Sequence, residues 1–292
     1  MSSDATKVAE GKDLDFKALC DYAATKGIGV WVYVNQRALI QQLDDILPLY
    51  KKWGIKGIKF GFVQVGNQFW TIWLHNAVRK CADYGIMVDI HDEYRPTGLS
   101  RTLPNLMTQE GIAGNETMPD ARHNTTLPFT RFLAGPADYT PCYFNNRVKA
   151  THGHQLAMPV VYYSPITFLY WYDTPQLYRG EKELDFWKHV PTTWDETYPI
   201  DGQIGEYVAI ARRSGQKWFV GVMNGMDART LSLPTEFLQR GKKYVVTLYE
   251  DDPDLDTRTK VATRQKTIKG GQSLKLELQA SGGAAMEIEK AP

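Results

Sequence analysis

Three times before residue 92 a helical pattern ends at a glycine and gives way to a short apolar run. Leu14–Lys26 leads into GIGVWVYVN (27–35), Arg37–Trp53 into GIKGIKFGFV (54–63), and Phe69–Tyr84 into GIMVDIH (85–91). Gly27, Gly54 and Gly85 each stand just past a helix, where a left-handed cap ends it and releases the chain. A strand covered on both faces reads as an apolar run, so each run is predicted as a parallel strand with a crossover helix. Successive units of this kind fold as a parallel barrel or a doubly wound sheet. No GxGxxG follows the first strand, which removes the support for a dinucleotide fold and favours an α/β barrel of the TIM type. Beyond Pro199 the texture changes to GEYVAIARRSGQKWFVGVMNG, KKYVVTLYEDD and QSLKLELQASGGAAMEIEK, short alternating runs broken by Gly, Asn and Asp. The expected organisation is a barrel over 1–198 and an antiparallel β sandwich over 199–292.

Composition narrows the partners. With 34 basic and 33 acidic residues the formal net charge is +1, which leaves no electrostatic footprint for nucleic acid or an anionic membrane. No run of 18 apolar residues occurs, and MSSDATKVAEGKD has no basic segment followed by an apolar one, so neither a membrane span nor an export signal is expected. The 8 Trp and 16 Tyr suit a protein that stacks rings on sugar faces as well as one that packs them in a core. Cys20, Cys81 and Cys142 are widely spaced and odd in number, and are predicted to be buried thiols.

In a parallel barrel, chemistry gathers at the C-terminal ends of the strands. After the third strand come His91, Asp92 and Glu93, and a following segment carries Glu110 and Glu116, with Arg95, Arg101 and the turn Pro96-Thr97-Gly98 between them. Paired carboxylates at strand ends are what acid/base cleavage of a glycosidic bond requires, and three or more together hold a hard cation such as calcium. Arg95 is positioned in sequence to orient a carboxylate or a sugar hydroxyl, or simply to tie down its loop. His152 and His154 have a metal-like spacing but no third His or Cys nearby, so they are assigned a structural role. Trp70 and Trp73 fall at helix spacing and are read as packing residues. Trp171 is left out of the site with them. No GxSxG elbow or HExxH is present.

The segments HDEYRPTGLSRTLPNLMTQEGIAGNE (91–116), LPFTRFLAGPADYT (127–140), HQLAMPVVYYSP (154–165) and TTWDET (192–197), followed by GEYVAIARR and WFVG, occur in this order over nearly the whole chain. Together they resemble glycoside hydrolase family 97, the bacterial α-glucosidases and α-galactosidases. The resemblance implies an N-terminal β sandwich, a central (β/α)8 barrel and a C-terminal β domain, of which this chain would hold the last two. Nothing ahead of Leu14 resembles the first barrel strand, so the barrel is expected to be incomplete at its N-terminus. An open edge there implies a partner domain, a homo-oligomer, or poor solubility. The family also implies an oligosaccharide substrate, a calcium cofactor and, for full-length members, a periplasmic location.

By the same resemblance Glu116 matches the general acid and Glu110 a calcium ligand, with Asp92, Glu93 and Glu116 the further carboxylates of the metal set. Retaining members place an aspartate nucleophile where this chain has Gly61. Inverting members use glutamates, one directly after the residue matching His91, where Asp92 stands with Glu93 beside it, and one near Asn35 or Gln36. The expectation is an inverting hydrolase of terminal α-glucosidic or related α-glycosidic bonds. Glu116 is its acid, Asp92 or Glu93 its base, and His91 and Arg95 contact the substrate. The alternative is an incomplete barrel that binds carbohydrate without independent turnover.

Overall fold

The computed structural model describes residues 4–6 and 14–292, which divide into two compact units, Met1–Ile112 with Ala134–Asp138, and Ala113–Leu133 with Tyr139–Pro292. The stretch ahead of Leu14, on which the expectations of a missing first strand and of no export signal rest, lies largely outside the described residues.

The first unit is a run of βα repeats. Helices α1 (Phe16–Thr25), α2 (Gln36–Trp53) and α3 (Gln68–Asp83) alternate with strands β1 (Trp31–Asn35), β2 (Gly57–Gly61), β3 (Met87–Ile90) and β4 (Leu106–Gln109). The four strands are parallel in the order β1-β2-β3-β4, the arrangement of consecutive barrel strands. Gly27, Gly54 and Gly85 all have positive φ, as their predicted capping role demands. At the other end of each helix, Asp15, Asn35 and Asn67 accept the backbone N–H three residues on, satisfying groups that a helix start leaves unpaired. The predicted strand 27–35 is shorter in the structure because Ile28–Val30 only connect the cap of α1 to the sheet.

Side chains alternate across these strands. Val32, Val34, Ile58, Phe60, Val88 and Ile90 join Leu39, Leu43, Ile46, Leu74 and Val78 of the helices in one buried cluster. Trp73 packs against that cluster, as its helix spacing predicts. The other sheet face carries Trp31, Tyr33 and Asn35 of β1 in register with Gly57, Lys59 and Gly61 of β2. A Cβ on Gly57 would overlap the Trp31 indole, and one on Gly61 would overlap the Tyr33 phenol. The two glycines are therefore the floor on which β1 lays its rings.

The second unit contains helices α4 (Ala121–Thr126), α5 (His152–Val161) and α6 (Asp185–His189). Its strands are β5 (Glu196–Gln203), β6 (Tyr207–Ser214), β7 (Lys217–Asn224), β8 (Arg229–Leu233), β9 (Lys243–Asp251), β10 (Val261–Lys269), β11 (Leu274–Leu278) and β12 (Gly283–Lys290). Six form an antiparallel sheet in the order β10-β9-β12-β7-β6-β5, and β8 pairs with β11 in a ribbon. Leu231, Leu233, Leu274, Leu276 and Leu278 of the ribbon share a core with Val220, Val222, Leu248 and Met286 of the sheet, which makes the sandwich. The change of texture read near residue 199 coincides with the start of β5. The residues before it pack on the sheet as well. A Cβ at Gly221 would press on the Ala157 carbonyl and one at Gly283 on the His154 backbone, so α5 lies directly on β7 and β12.

His154 secures that contact. It is fully buried, its Nδ1–H donates to the Gly282 carbonyl at 3.1 Å, and Asn124 Nδ2 faces Nε2 at 3.3 Å. This is a neutral, structural histidine. Cys20, Cys81 and Cys142 are buried free thiols, as expected. Burial pushes the His154 imidazole down to about 4, so its contribution to stability is complete above the unfolded value of about 6.5 and is lost as pH falls through about 4. Urea unfolding of the wild type across that window should lose up to roughly 3 kcal/mol more than His154→Gln, whose amide has no proton to gain.

Candidate active site

Charged residues interrupt the apolar strands of the first unit, and they do so on one face. Lys59, Asp89 and Asp138 are 1% or less exposed and Glu110 is 6% exposed. Lys59 Nζ lies 2.9 Å from Asp89 Oδ2, 3.2 Å from Glu110 Oε1 and 2.5 Å from Asp138 Oδ2. Register explains the meeting: Lys59 is level with Asp89, Asp89 with Thr108, and Glu110 N extends the ladder by donating to Ile90 O at 2.9 Å. Asp138 arrives on the returning segment 134–138, where its N–H donates to Gln109 O. Burial by itself would lower the Lys59 ammonium, but the charges of Asp89, Asp138 and Glu110 outweigh it and hold the proton on. Burial also raises the Asp89 carboxyl against the pull of Lys59.

Glu110 passes this order outward. Its Oε2 is 2.7 Å from His91 Nδ1 and accepts the Asp92 N–H at 2.7 Å. Asp92 N also lies 2.6 Å from that same ring nitrogen. Nδ1 stands between Glu110 Oε2 and Asp92 Oδ1, so it carries a proton and donates, and the Asp92 N–H belongs to Glu110. Burial alone would lower the His91 imidazole, but its hydrogen bonds to Asp92 and Glu110 raise it to about 10. Asp92 has φ +63°, a left-handed conformation that a residue with a Cβ adopts at a cost. Its Oδ2 accepts the Val63 N–H at 3.0 Å. Burial pushes this carboxyl up, yet His91 and the N–H groups of Val63 and Phe62 outweigh burial and hold it below the usual aspartate value. The result is an ionised, partly exposed carboxylate beyond the end of β3.

Of the residues called from the sequence, His91, Asp92 and Glu110 meet in this unit. Glu93 and Arg95 are both exposed. Asn35 is occupied as the cap of α2, and Gln36 Oε1 accepts the Gln64 N–H at 2.6 Å. Glu116 belongs to the second unit, on a turn closed by Thr117 N–H to Gly114 O at 3.0 Å. Asn115 anchors that turn, its N–H on Tyr139 O and its amide on Gln155 Oε1 at 3.2 Å. The Glu116 carboxylate accepts the Trp171 indole N–H at 2.7 Å. The expectation leaves Trp171 out of the site, and the structure makes its indole a partner of Glu116 from 55 residues away; an isolated aromatic in a loop carries no periodic signal. Lys59, Asp89 and Asp138 were passed over too. The signal of Lys59 and Asp89 was readable, because a lysine in GIKFG and an aspartate in MVDI break runs otherwise apolar enough to be buried, whereas Asp138 lies in no such run.

The described residues thus hold a parallel βα sheet with a charged face and an antiparallel β domain. Comparison with known sequences makes this specific. A family profile described as "Glycoside hydrolase 97" matches residues 1–112, and one described as "Glycosyl-hydrolase 97 C-terminal, oligomerisation" matches residues 193–289. The retaining alpha-galactosidase of Bacteroides thetaiotaomicron is 33% identical over 95% of this chain and 45% of its own length. A probable retaining alpha-galactosidase of Streptomyces bingchenggensis is 33% identical over 91% and 42%. Among solved structures, a glycoside hydrolase family 97 enzyme in complex with acarbose, from Pseudoalteromonas sp. strain K8, superposes with a TM-score of 0.89 at 27% identity. It covers 99% of this chain and 51% of that one. The chain belongs to glycoside hydrolase family 97, with the fold of a TIM barrel and a C-terminal antiparallel β domain. It spans about half the length of the relatives it matches.

Removing one side of a buried ion cluster strands the other. Lys59→Met leaves Asp89, Glu110 and Asp138 facing one another without the ammonium, and should cost about 3–5 kcal/mol. The shift of the urea midpoint of the first unit, followed by Trp fluorescence, measures it.

Proposed function

We propose that this protein is a glycosidase acting on terminal α-glycosides of oligosaccharides, with Glu116 as general acid and Asp92 as the base that activates water. The observation that carries the reading is the state of Asp92. Its carboxylate is held ionised by His91 and two backbone N–H groups, stands beyond the C-terminal end of a barrel strand, and keeps part of its surface in solvent. Glu93, the other candidate base, is exposed. An inverting course is proposed because Gly61 offers no side chain for a covalent intermediate and the Tyr33 ring fills the space above it. The curated relatives at 33% identity are named retaining, which makes stereochemistry the decisive measurement.

Their names also make an α-galactoside the first substrate to test, with an α-glucoside beside it. Proton NMR of early hydrolysis should show the inverted anomer forming first, and Glu116→Gln should slow a phenyl α-glycoside by 100-fold or more, on the order expected for a lost general acid. A retained anomer would remove Asp92 from the role of base. No turnover of either sugar by folded protein would leave carbohydrate binding without catalysis.

Calcium is proposed as the cofactor. Asp92 and Glu110 fit it in donor chemistry, since both present carboxylate oxygens, the hard donors that calcium prefers. A calcium ion there would supply positive charge that keeps Asp92 ionised. Millimolar calcium should raise the thermal midpoint, a chelator should lower it, and Glu110→Gln should abolish the response. An unchanged midpoint in the wild type would remove the ion. The profile description of the C-terminal region supports a homo-oligomer as the further proposal.

A further inference from the structure

The carboxylate of Glu116 is held at one oxygen by the indole of Trp171, at 2.7 Å. Both partners are fixed from behind. Gly114 precedes Glu116 where a Cβ would collide with the Tyr139 carbonyl, and Asn115 is tied to Tyr139 and Gln155. Trp171 follows Tyr170, which has φ +60°, and its own N–H donates to Pro141 O at 3.3 Å. Two residues on, the Asp173 carboxylate takes the N–H groups of Tyr143 and Phe144 at 2.5 and 3.0 Å. The loop around Trp171 is thus bound to 141–144 from both sides, with the left-handed turn at Tyr170 aiming the indole at Glu116. A non-glycine residue is kept in that conformation only where its surroundings over-determine it.

We propose that Trp171 is the positioning residue for the acid, fixing which oxygen of Glu116 delivers the proton and stabilising the carboxylate as it forms. This rests on the assignment of Glu116 as general acid. An indole N–H can only donate, so Oε1 acts as its acceptor, the role that suits the carbonyl oxygen of a protonated carboxyl, and the proposal puts the acidic proton on Oε2. As the bond between the anomeric carbon and the leaving oxygen breaks, its electron pair stays with that oxygen, the Oε2 proton moves onto it and the alcohol departs neutral, while a water oxygen bonds to the anomeric carbon and gives its proton to the base. Glu116 is left as a carboxylate. The indole bond is weak to a neutral acid and roughly twice as strong to the anion, so it favours the transition state over the ground state. Trp171 touches no reacting atom and acts through Glu116.

Packing alone would also slow a variant, since the Trp171 ring meets Phe168 edge to face at 6.0 Å. Leaving-group dependence separates the two. Trp171→Phe keeps a ring and loses the N–H. Assayed on aryl α-galactosides from phenyl to 2,4-dinitrophenyl, it should lose about ten- to a hundredfold in kcat/KM on phenyl, the worth of a hydrogen bond to a charged group. The loss should shrink toward none on dinitrophenyl, which leaves without a proton. In the Glu116→Gln background the same change should have no further effect. A loss uniform across leaving groups, or no loss, while Glu116→Gln shows the leaving-group pattern, overturns the role of Trp171. Absence of the pattern in Glu116→Gln itself overturns the acid instead. The contact is read without turnover by 15N NMR: the indole line missing from Trp171→Phe should move in Glu116→Ala, and an unmoved line overturns the proposal.

Discussion

An ammonium inside a β-sheet is tolerable only when its charge is answered, and the Lys59 side chain is answered three times, by Asp89, Glu110 and Asp138. Desolvation of any one of these groups costs several kcal/mol, so none is placed independently of the others. Glu110 is the member that leads outward. With one oxygen on Lys59, its other is positioned to take His91 Nδ1–H and the Asp92 N–H, and that backbone bond helps hold Asp92 in its left-handed turn. The geometry at the end of β3 is therefore inherited from a charge buried in the sheet below it.

The two proposed catalytic carboxylates meet different donors. An imidazole and backbone N–H groups share the oxygens of Asp92, and an indole N–H reaches Glu116. Donors on a carboxylate stabilise its charged form.

Periodic features were legible before any coordinates. Helices 16–25, 36–53 and 68–83 and their glycine caps follow from apolar spacing and from the one residue type that enters the left-handed region freely. The alternating strands past residue 196 follow the same way. His91, Asp92 and Glu110 were found because they cluster along the chain after a strand. Trp171 and Asp138 were not, because each is brought in from a distant loop by packing that has no period. Lys59 lay between these cases. Its charge in a buried strand was visible, but the three carboxylates that make it tolerable come from separate segments.

Tyr33 and Gly61 form an interlock between neighbouring strands, since the phenol occupies the volume that any side chain at 61 would need. The atoms in the way are the far end of the ring, and Tyr33 is 43% exposed, so a side chain at 61 is accommodated only if that ring swings out toward solvent. What position 61 of β2 can carry is therefore decided by a neighbour on β1: a carboxylate on this strand needs a ring that gives way or a smaller residue in its place.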